Sequence, residues 1–396
     1  METPLEVRVL EFALFLLTFH GYSSASVPSS CFDQPEDEIT SIPHYHLYHT
    51  KEKPLIIGHL GNPSRFQENT IDGFKSLAAL KADGMELDTF LTKDEKLVVF
   101  HFDNTKSLTG KDHNIWDIDY EDLRKLDINS TLTYGSNEYN FTKTRKIPLL
   151  SDVFDAVEND SLVMYLNMKP GFVRNHTESE RIGKAAAKLI IEKGIVDKVL
   201  LSSFDPLKLQ AAKQENPFLV VGTFYKKGMW KPESADNLKK ELEHLRGMQT
   251  CVKHTSNGTE FMNFLFQTND LLRATKSSFV VMDYNIFNNP EYSNNTFKTF
   301  EGLSFGAFII DNLVLSDEEK RQDKAKLDLL IQNNVSALFT DDIPGVRRKL
   351  GRYLPPSPQP SPSPTSKPPK ISRTHKNIPT AIIISAVLIF GWSLCL

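Results

Sequence analysis

Two short apolar runs end in residues that can do chemistry. Leu55-Ile56-Ile57-Gly58 leads into His59, and Gly84-Met85 leads into Glu86-Leu87-Asp88. An extra extended piece, Leu97–His101, ends on a second histidine. Strand alternation puts Glu86 and Asp88 on one face. Paired carboxylates bind a hard divalent cation, Mg²⁺ or Ca²⁺, through oxygen. Such a cation neutralises charge on phosphoryl oxygens and lowers the pKa of a bound water. Two imidazoles, titrating near working pH, could take a proton from a nucleophile and give one to a leaving alcohol. Lys169, ending a later apolar run, would add a cation for a phosphate. Taken singly, a histidine at a strand end is most often scaffold, and a Glu-x-Asp pair is most often a solvated edge. Their joint occurrence at successive strand ends favours phosphodiester hydrolysis. A glycosidase needs carboxylates facing each other across a sugar, about 5 Å or more apart, which neighbours on one strand do not provide.

These residues need a frame. Runs rich in β-branched residues recur at Leu55–His59, Gly84–Asp88, Leu162–Lys169, Val199–Ser203, Phe218–Phe224, Phe279–Asp283, Phe305–Asp311 and Ala337–Thr340. Strands alternating with helical patterns imply parallel βαβ units. Eight such units predict an α/β fold, a (β/α)8 TIM barrel with its site at the C-terminal strand ends. An open doubly wound sheet is the alternative. Asn69 or Thr70 is expected to cap a helix carrying Ile71, Phe74, Leu77 and Ala78, and Ser151 to start Asp152–Val157. Ser316-Asp-Glu-Glu319 reads as a capping box. Residues 102–150, a long polar segment, and 225–277, with two amphipathic helical patterns, are expected to be lids or small subdomains. His44, His46 and His49 precede the first strand and are expected to lie in a solvated connector.

In order and spacing, Gly58-His59-Leu60-Gly61, Glu68-Asn69-Thr70, Gly84–Asp88, Leu91-Thr92-Lys93-Asp94 and Val98–His101 resemble the leading signature of the glycerophosphodiester phosphodiesterase family. Ile147-Pro148-Leu149-Leu150, Leu166-Asn167-Met168-Lys169, Ser202-Ser203-Phe204 and Phe339-Thr340-Asp341 look like its later landmarks. The resemblance implies a barrel of the phospholipase-C-like type, a divalent cation, and hydrolysis of glycerophosphodiesters to an alcohol and glycerol phosphate. It implies His59 and His101 as the acid/base pair. It implies Glu86, Asp88 and Asn167 at the metal, Lys169 at the substrate phosphate, and Glu68 behind them. Three positions depart from the pattern. Leu60 replaces an arginine, removing a bidentate phosphate donor. Phe102 replaces an aspartate, and alternation aims Asp103 the other way. Asn167 replaces a third acidic ligand; its amide oxygen can still coordinate, without charge. The aromatic patch of the seventh strand reads Phe308-Ile309-Ile310. Leu60 and Phe102 make the mouth more apolar, so a lysophospholipid or other lipid-bearing diester is the expected substrate. The alternative is a catalytically impaired barrel that binds a ligand at the cell surface.

The chain has 396 residues, 40% hydrophobic and 24% charged, with net charge −4. That balance argues against nucleic acid as a partner. Phe12–Phe19 followed by Ser23-Ser24-Ala25-Ser26 reads as a signal peptide over 1–25. An N-terminal segment, 26–53, would precede a barrel over 54–350. From Leu354 to Ser366 proline and serine alternate, a stalk that cannot pack a core. Basic residues follow to 377, and 378–396 is a hydrophobic tail, read as a glycolipid-anchor signal or a membrane anchor. Asn129, Asn140, Asn159, Asn175, Asn257, Asn294 and Asn334 begin glycosylation sequons. Cys31 and Cys251 are bridged or free thiols; Cys395 lies in the tail. Together these features predict the secretory pathway and a membrane-anchored place at the cell surface.

Overall fold

Leu55–Gly58 and Val199–Ser203 are buried at every position, as strands covered on both faces must be. In the computed structural model the described residues are 30–352, apart from 33–38, 135–136, 172, 244, 246, 288–299, 301–302 and 311–325. The expected signal peptide, the stalk and tail beyond 352, Asn294 and the Ser316 capping box lie outside them.

The strands are β1 (Leu55–Gly58), β2 (Gly84–Leu91), β3 (Leu97–Val99), β4 (Asp127–Ile128), β5 (Thr131–Tyr134), β6 (Asn137–Asn140), β7 (Arg145–Lys146), β8 (Val163–Met168), β9 (Val199–Ser203), β10 (Val220–Tyr225), β11 (Phe279–Asp283), β12 (Ser304–Ile310) and β13 (Ala337–Thr340). One sheet runs β1-β13-β12-β11-β10-β9-β8-β2-β3, and β1 also pairs with β2. The parallel strands therefore close into the expected eight-stranded barrel, and the open sheet is excluded. Inward side chains fill the ring. Tyr165 meets Phe279 and Phe339 edge-on at 5.5 and 4.8 Å. Gly222 makes room for this layer, because a Cβ there would lie 2.3 Å from the Phe279 ring.

β3 runs antiparallel to β2, with Thr89 opposite Val99. It is therefore not a further strand pointing at the mouth. The link between β2 and β3 is a few residues, too short for a parallel crossover of a dozen or more. β2 overruns the rim, turns, and β3 returns toward it.

The excursion 102–150 is more than a polar loop. Leu108, Ile115, Leu123, Ile128 and Leu132 form a separate apolar cluster with Phe90, Val98 and Phe100 from the β2–β3 region. The pairs β4–β7 and β5–β6 belong to it. The second excursion holds helices Pro232–Leu242, Met248–His254, Gly258–Thr268 and Asp270–Thr275, more than the two patterns expected. Cys251 on the second of these is disulfide-bonded to Cys31, with Cα atoms 5.6 Å apart. Ser30 Oγ and the Cys31 N–H donate to the Asp270 carboxylate at 2.7 and 2.6 Å.

The histidine-rich segment is a solvated connector only in part: His44 and His49 are exposed, but His46 is not. His46 is fully buried. Its Nδ1 accepts the Tyr48 N–H at 3.1 Å, and its Nε2 lies 3.3 Å from the Val199 carbonyl. The Leu47 N–H donates to the Asp197 carbonyl at 2.8 Å. This segment packs at the start of β9, the barrel end opposite the C-terminal strand ends. Of the two capping expectations, the first holds in position and the second fails. Thr70 is the N-cap of Ile71–Ala79 without a side-chain cap bond, its hydroxyl donating to the Gln67 carbonyl at 2.6 Å. The helix Leu150–Ala156 begins one residue before Ser151, with Leu149 as N-cap.

Candidate active site

β2 and β8 pair so that Asp88 stands opposite Asn167. Glu86, Asp88 and Asn167 are buried, at 1%, 1% and 2% exposure. The Asn167 Nδ2–H donates to Asp88 Oδ1 at 2.9 Å, and Lys169 Nζ lies 3.5 Å from the same oxygen. Asn69, at φ +55°, brackets Asp88 from the other side. Its Nδ2–H donates to Asp88 Oδ2 at 3.3 Å and its Oδ1 accepts the Asp88 N–H at 3.2 Å. Asparagine tolerates that left-handed backbone better than most residues. Of the two cap candidates, Thr70 takes the N-cap position, and the site uses the Asn69 side chain.

Glu86 has a different neighbour. Leu60, at φ +53°, donates its N–H to Glu86 Oε2 at 3.2 Å. Burial, and then the nearby Asp88 carboxylate, push the Glu86 carboxyl up to about 8; His59, Lys169 and the Leu60 N–H pull the other way. Asn167 Oδ1 is buried without a hydrogen-bond partner. Two acids in a dry site and an orphaned amide oxygen beside them suit a hard cation.

Each histidine is held by an acid. His59 Nδ1 lies 3.0 Å from Asp341 Oδ1, and His101 Nδ1 lies 3.1 Å from Glu68 Oε1. The imidazoles are 15% exposed while these acids are 1% and 2% exposed. A carboxylate only accepts, so each Nδ1 carries the proton. His101 reaches this end because β3 turns back: the Phe100 N–H donates to the Asp88 carbonyl at 3.2 Å. Glu68 is adjacent to Asn69, so one turn links His101 to Asp88. Both imidazoles have aromatic neighbours, Phe308 at 5.4 Å from His59 and Phe102 at 4.4 Å from His101. Asp103 is exposed, as alternation predicts.

All seven site residues named from the sequence thus come to one barrel end. Asp341 is a family landmark to which the sequence assigns no role; its position just past β13 is the available signal. Lys226, just past the end of β10, is buried at a strand end that carries none of the expected site residues. Another ligand-type trio, Cys31, Cys251 and Asp270, has its ligand atoms within 4.8 Å of one another, but the disulfide uses both sulfurs. The described sequon residues Asn129, Asn140, Asn159, Asn175, Asn257 and Asn334 are all exposed.

The glycerophosphoryl diester phosphodiesterase family matches residues 59–343. The chain belongs to that family, whose members are phosphoric diester hydrolases. A glycerophosphodiester phosphodiesterase of Caldanaerobacter subterraneus is 33% identical over 180 residues, 46% of this chain and 70% of that one. A lysophospholipase D of Homo sapiens is 36% identical over 121 residues, 28% of this chain and 37% of that one. Among solved structures, an Oleispira antarctica phosphodiesterase in complex with the product sn-glycerol-3-phosphate has a TM-score of 0.52 at 17% identity, covering 77% of this chain and 99% of that one. A glycerophosphodiester phosphodiesterase from Parabacteroides distasonis has a TM-score of 0.51 at 14% identity, covering 76% and 98%. At such identities these two support the fold alone.

Proposed function

We propose that this chain hydrolyses glycerophosphodiesters or related lysophospholipids with a divalent cation, His59 and His101 exchanging protons with the substrate. The observation that carries the reading is Asn167 Oδ1, buried without a partner beside buried Glu86 and Asp88. Glu86, Asp88 and the Asn167 amide oxygen would hold Mg²⁺ or Ca²⁺, which supplies charge neutralisation at phosphoryl oxygens. Asp341 and Glu68 fix the tautomers of the two histidines and stabilise each imidazolium as it forms. Nε2 of one histidine takes the nucleophile's proton, and Nε2 of the other gives a proton to the leaving alcohol. Lys169 offers its ammonium to the phosphate while sharing Asp88. Phe308 and Phe102 beside the histidines favour a lipid-bearing diester. The loss of arginine at Leu60 favours the second reading, a barrel that binds without turnover.

The test is release of alcohol from a glycerophosphodiester and a lysophospholipid by purified full-length protein, with Mg²⁺, Ca²⁺ or chelator. Turnover should require the cation, and His59→Ala should lower kcat about a hundredfold or more. Equal turnover by the variant removes His59 from the mechanism. No turnover, together with no cation-induced rise in Tm, leaves the binding barrel.

The exposed sequons and the Cys31–Cys251 disulfide support a secretory route. The hydrophobic 378–396 tail supports a membrane anchor. Glycosidase treatment of the cellular protein should increase its mobility, and a phosphatidylinositol-specific phospholipase should release it from the surface. Retention after that treatment would favour a spanning tail over a glycolipid.

A further inference from the structure

The barrel mouth has two unlike sides. Strands β13, β1, β2 and β8 bring Asp341, His59, Glu86, Asp88, Asn167 and Lys169. Strands β9, β10 and β12 bring an aromatic arc instead. Phe204 packs on Phe224 at 5.5 Å, Phe224 on Phe308 at 5.4 Å, and Phe308 on His59 at 5.4 Å. Lys226 follows β10 directly and shares its inward face with Phe224, two residues earlier. It is 5% exposed, and its ammonium lies 4.7 Å from the Phe204 ring centroid. The same ammonium lies against Gly171: a Cβ there would come within 3.1 Å of it. Gly171 is two residues beyond Lys169. The Lys226 side chain therefore crosses β9 and delivers its charge to the segment that carries Lys169.

We propose that Lys226 binds a non-bridging oxygen of the scissile phosphodiester, a role left open by leucine at position 60. The proposal rests on the hydrolase reading above. Four carboxylates, Glu68, Glu86, Asp88 and Asp341, converge here, and Lys169 stands 3.5 Å from one of them. An anionic diester entering this field needs further positive charge near the phosphate. An ammonium is a point charge with rotatable donors, suited to a single phosphoryl oxygen where a bidentate guanidinium is missing. Burial is costly for a cation, and the Phe204 face offsets part of that cost by cation–π attraction. Low local dielectric in turn strengthens its pull on a phosphate. The missing Cβ at Gly171 is what lets the ammonium sit beside the Lys169 segment.

The test uses Lys226→Met in the full-length protein, with Gly171→Ala as a second variant that displaces the ammonium without removing it. KM and kcat are measured on two glycerophosphodiesters, one with an uncharged alcohol and one with a carboxylate-bearing alcohol. Binding of sn-glycerol 3-phosphate is measured by calorimetry. Lys226→Met should raise KM and weaken glycerol phosphate binding by about tenfold or more, for both substrates, with kcat changed by less than about threefold. Gly171→Ala should raise KM by a smaller factor. The melting temperature of Lys226→Met should stay near that of the parent, separating lost binding from lost fold. Unchanged KM and unchanged product affinity would overturn the proposal. So would a rise confined to the carboxylate-bearing substrate, which would put Lys226 on the leaving group. Wild-type protein that turns over neither diester, yet binds glycerol phosphate in a Lys226-dependent way, would sink the hydrolase reading and keep the assignment of Lys226.

Discussion

Asn167 places a neutral amide where the proposed ligand set otherwise offers carboxylates. Its Nδ2–H already serves Asp88, which also meets Asn69 and Lys169, so only its oxygen is left without a partner. Affinity for hard cations follows the number of charged ligands. Asn167→Asp is therefore expected to tighten Mg²⁺ or Ca²⁺ binding by about tenfold or more. The same change should lower the Tm of cation-free protein, because it adds a buried charge beside Glu86 and Asp88. A cation titration followed by thermal unfolding reads both effects. An unchanged titration midpoint would take residue 167 out of the ligand set.

Among the elements, β2 carries both buried carboxylates of the site, and the segment before β1 packs at the other end of the barrel. That segment carries a titration. Burial is the main cause holding His46 down at about 4, against an ordinary value of 6.5. The bond from Nε2 to the Val199 carbonyl pulls the other way, while a proton on Nδ1 would cost the bond accepted from the Tyr48 N–H. Between these two pH values the unfolded chain binds more protons than the folded one. Stability is then present above pH 6.5 and is lost as pH falls toward 4, by at most about 3 kcal/mol. His46→Asn should have a lower Tm at pH 7 and a smaller fall in Tm between pH 7 and pH 4.5. A fall of the same size in both proteins would show that another group causes it.

For the whole molecule, the disulfide joins positions 220 residues apart in sequence. It fastens the chain's beginning to the helical excursion before β11, where Asp270 receives donors from Ser30 and Cys31. A bond closing so long a loop restricts the unfolded chain strongly. The double variant Cys31→Ser, Cys251→Ser is expected to lose about 2–4 kcal/mol in denaturant unfolding. Reductant should bring the parent down to the same stability. A parent that ignores reductant would mean that the two sulfurs are not bonded in solution.

Local sequence was enough for the eight barrel strands, because a strand buried on both faces must be a continuous apolar run wherever it sits. Alternation likewise aimed Glu86 and Asp88 inward together. It could not supply the partners. Asp341 meets His59 across 282 positions of chain, and Lys226 meets Gly171 only because β10 and β8 flank the same neighbour. The direction of β3 followed from the length of its connection, a local fact that extended-strand patterning alone does not weigh. The burial of His46, the duty of Asn69 at Asp88 and the core inside 102–150 needed the closed ring. Periodicity tells which way a side chain points; only tertiary closure decides what stands opposite it.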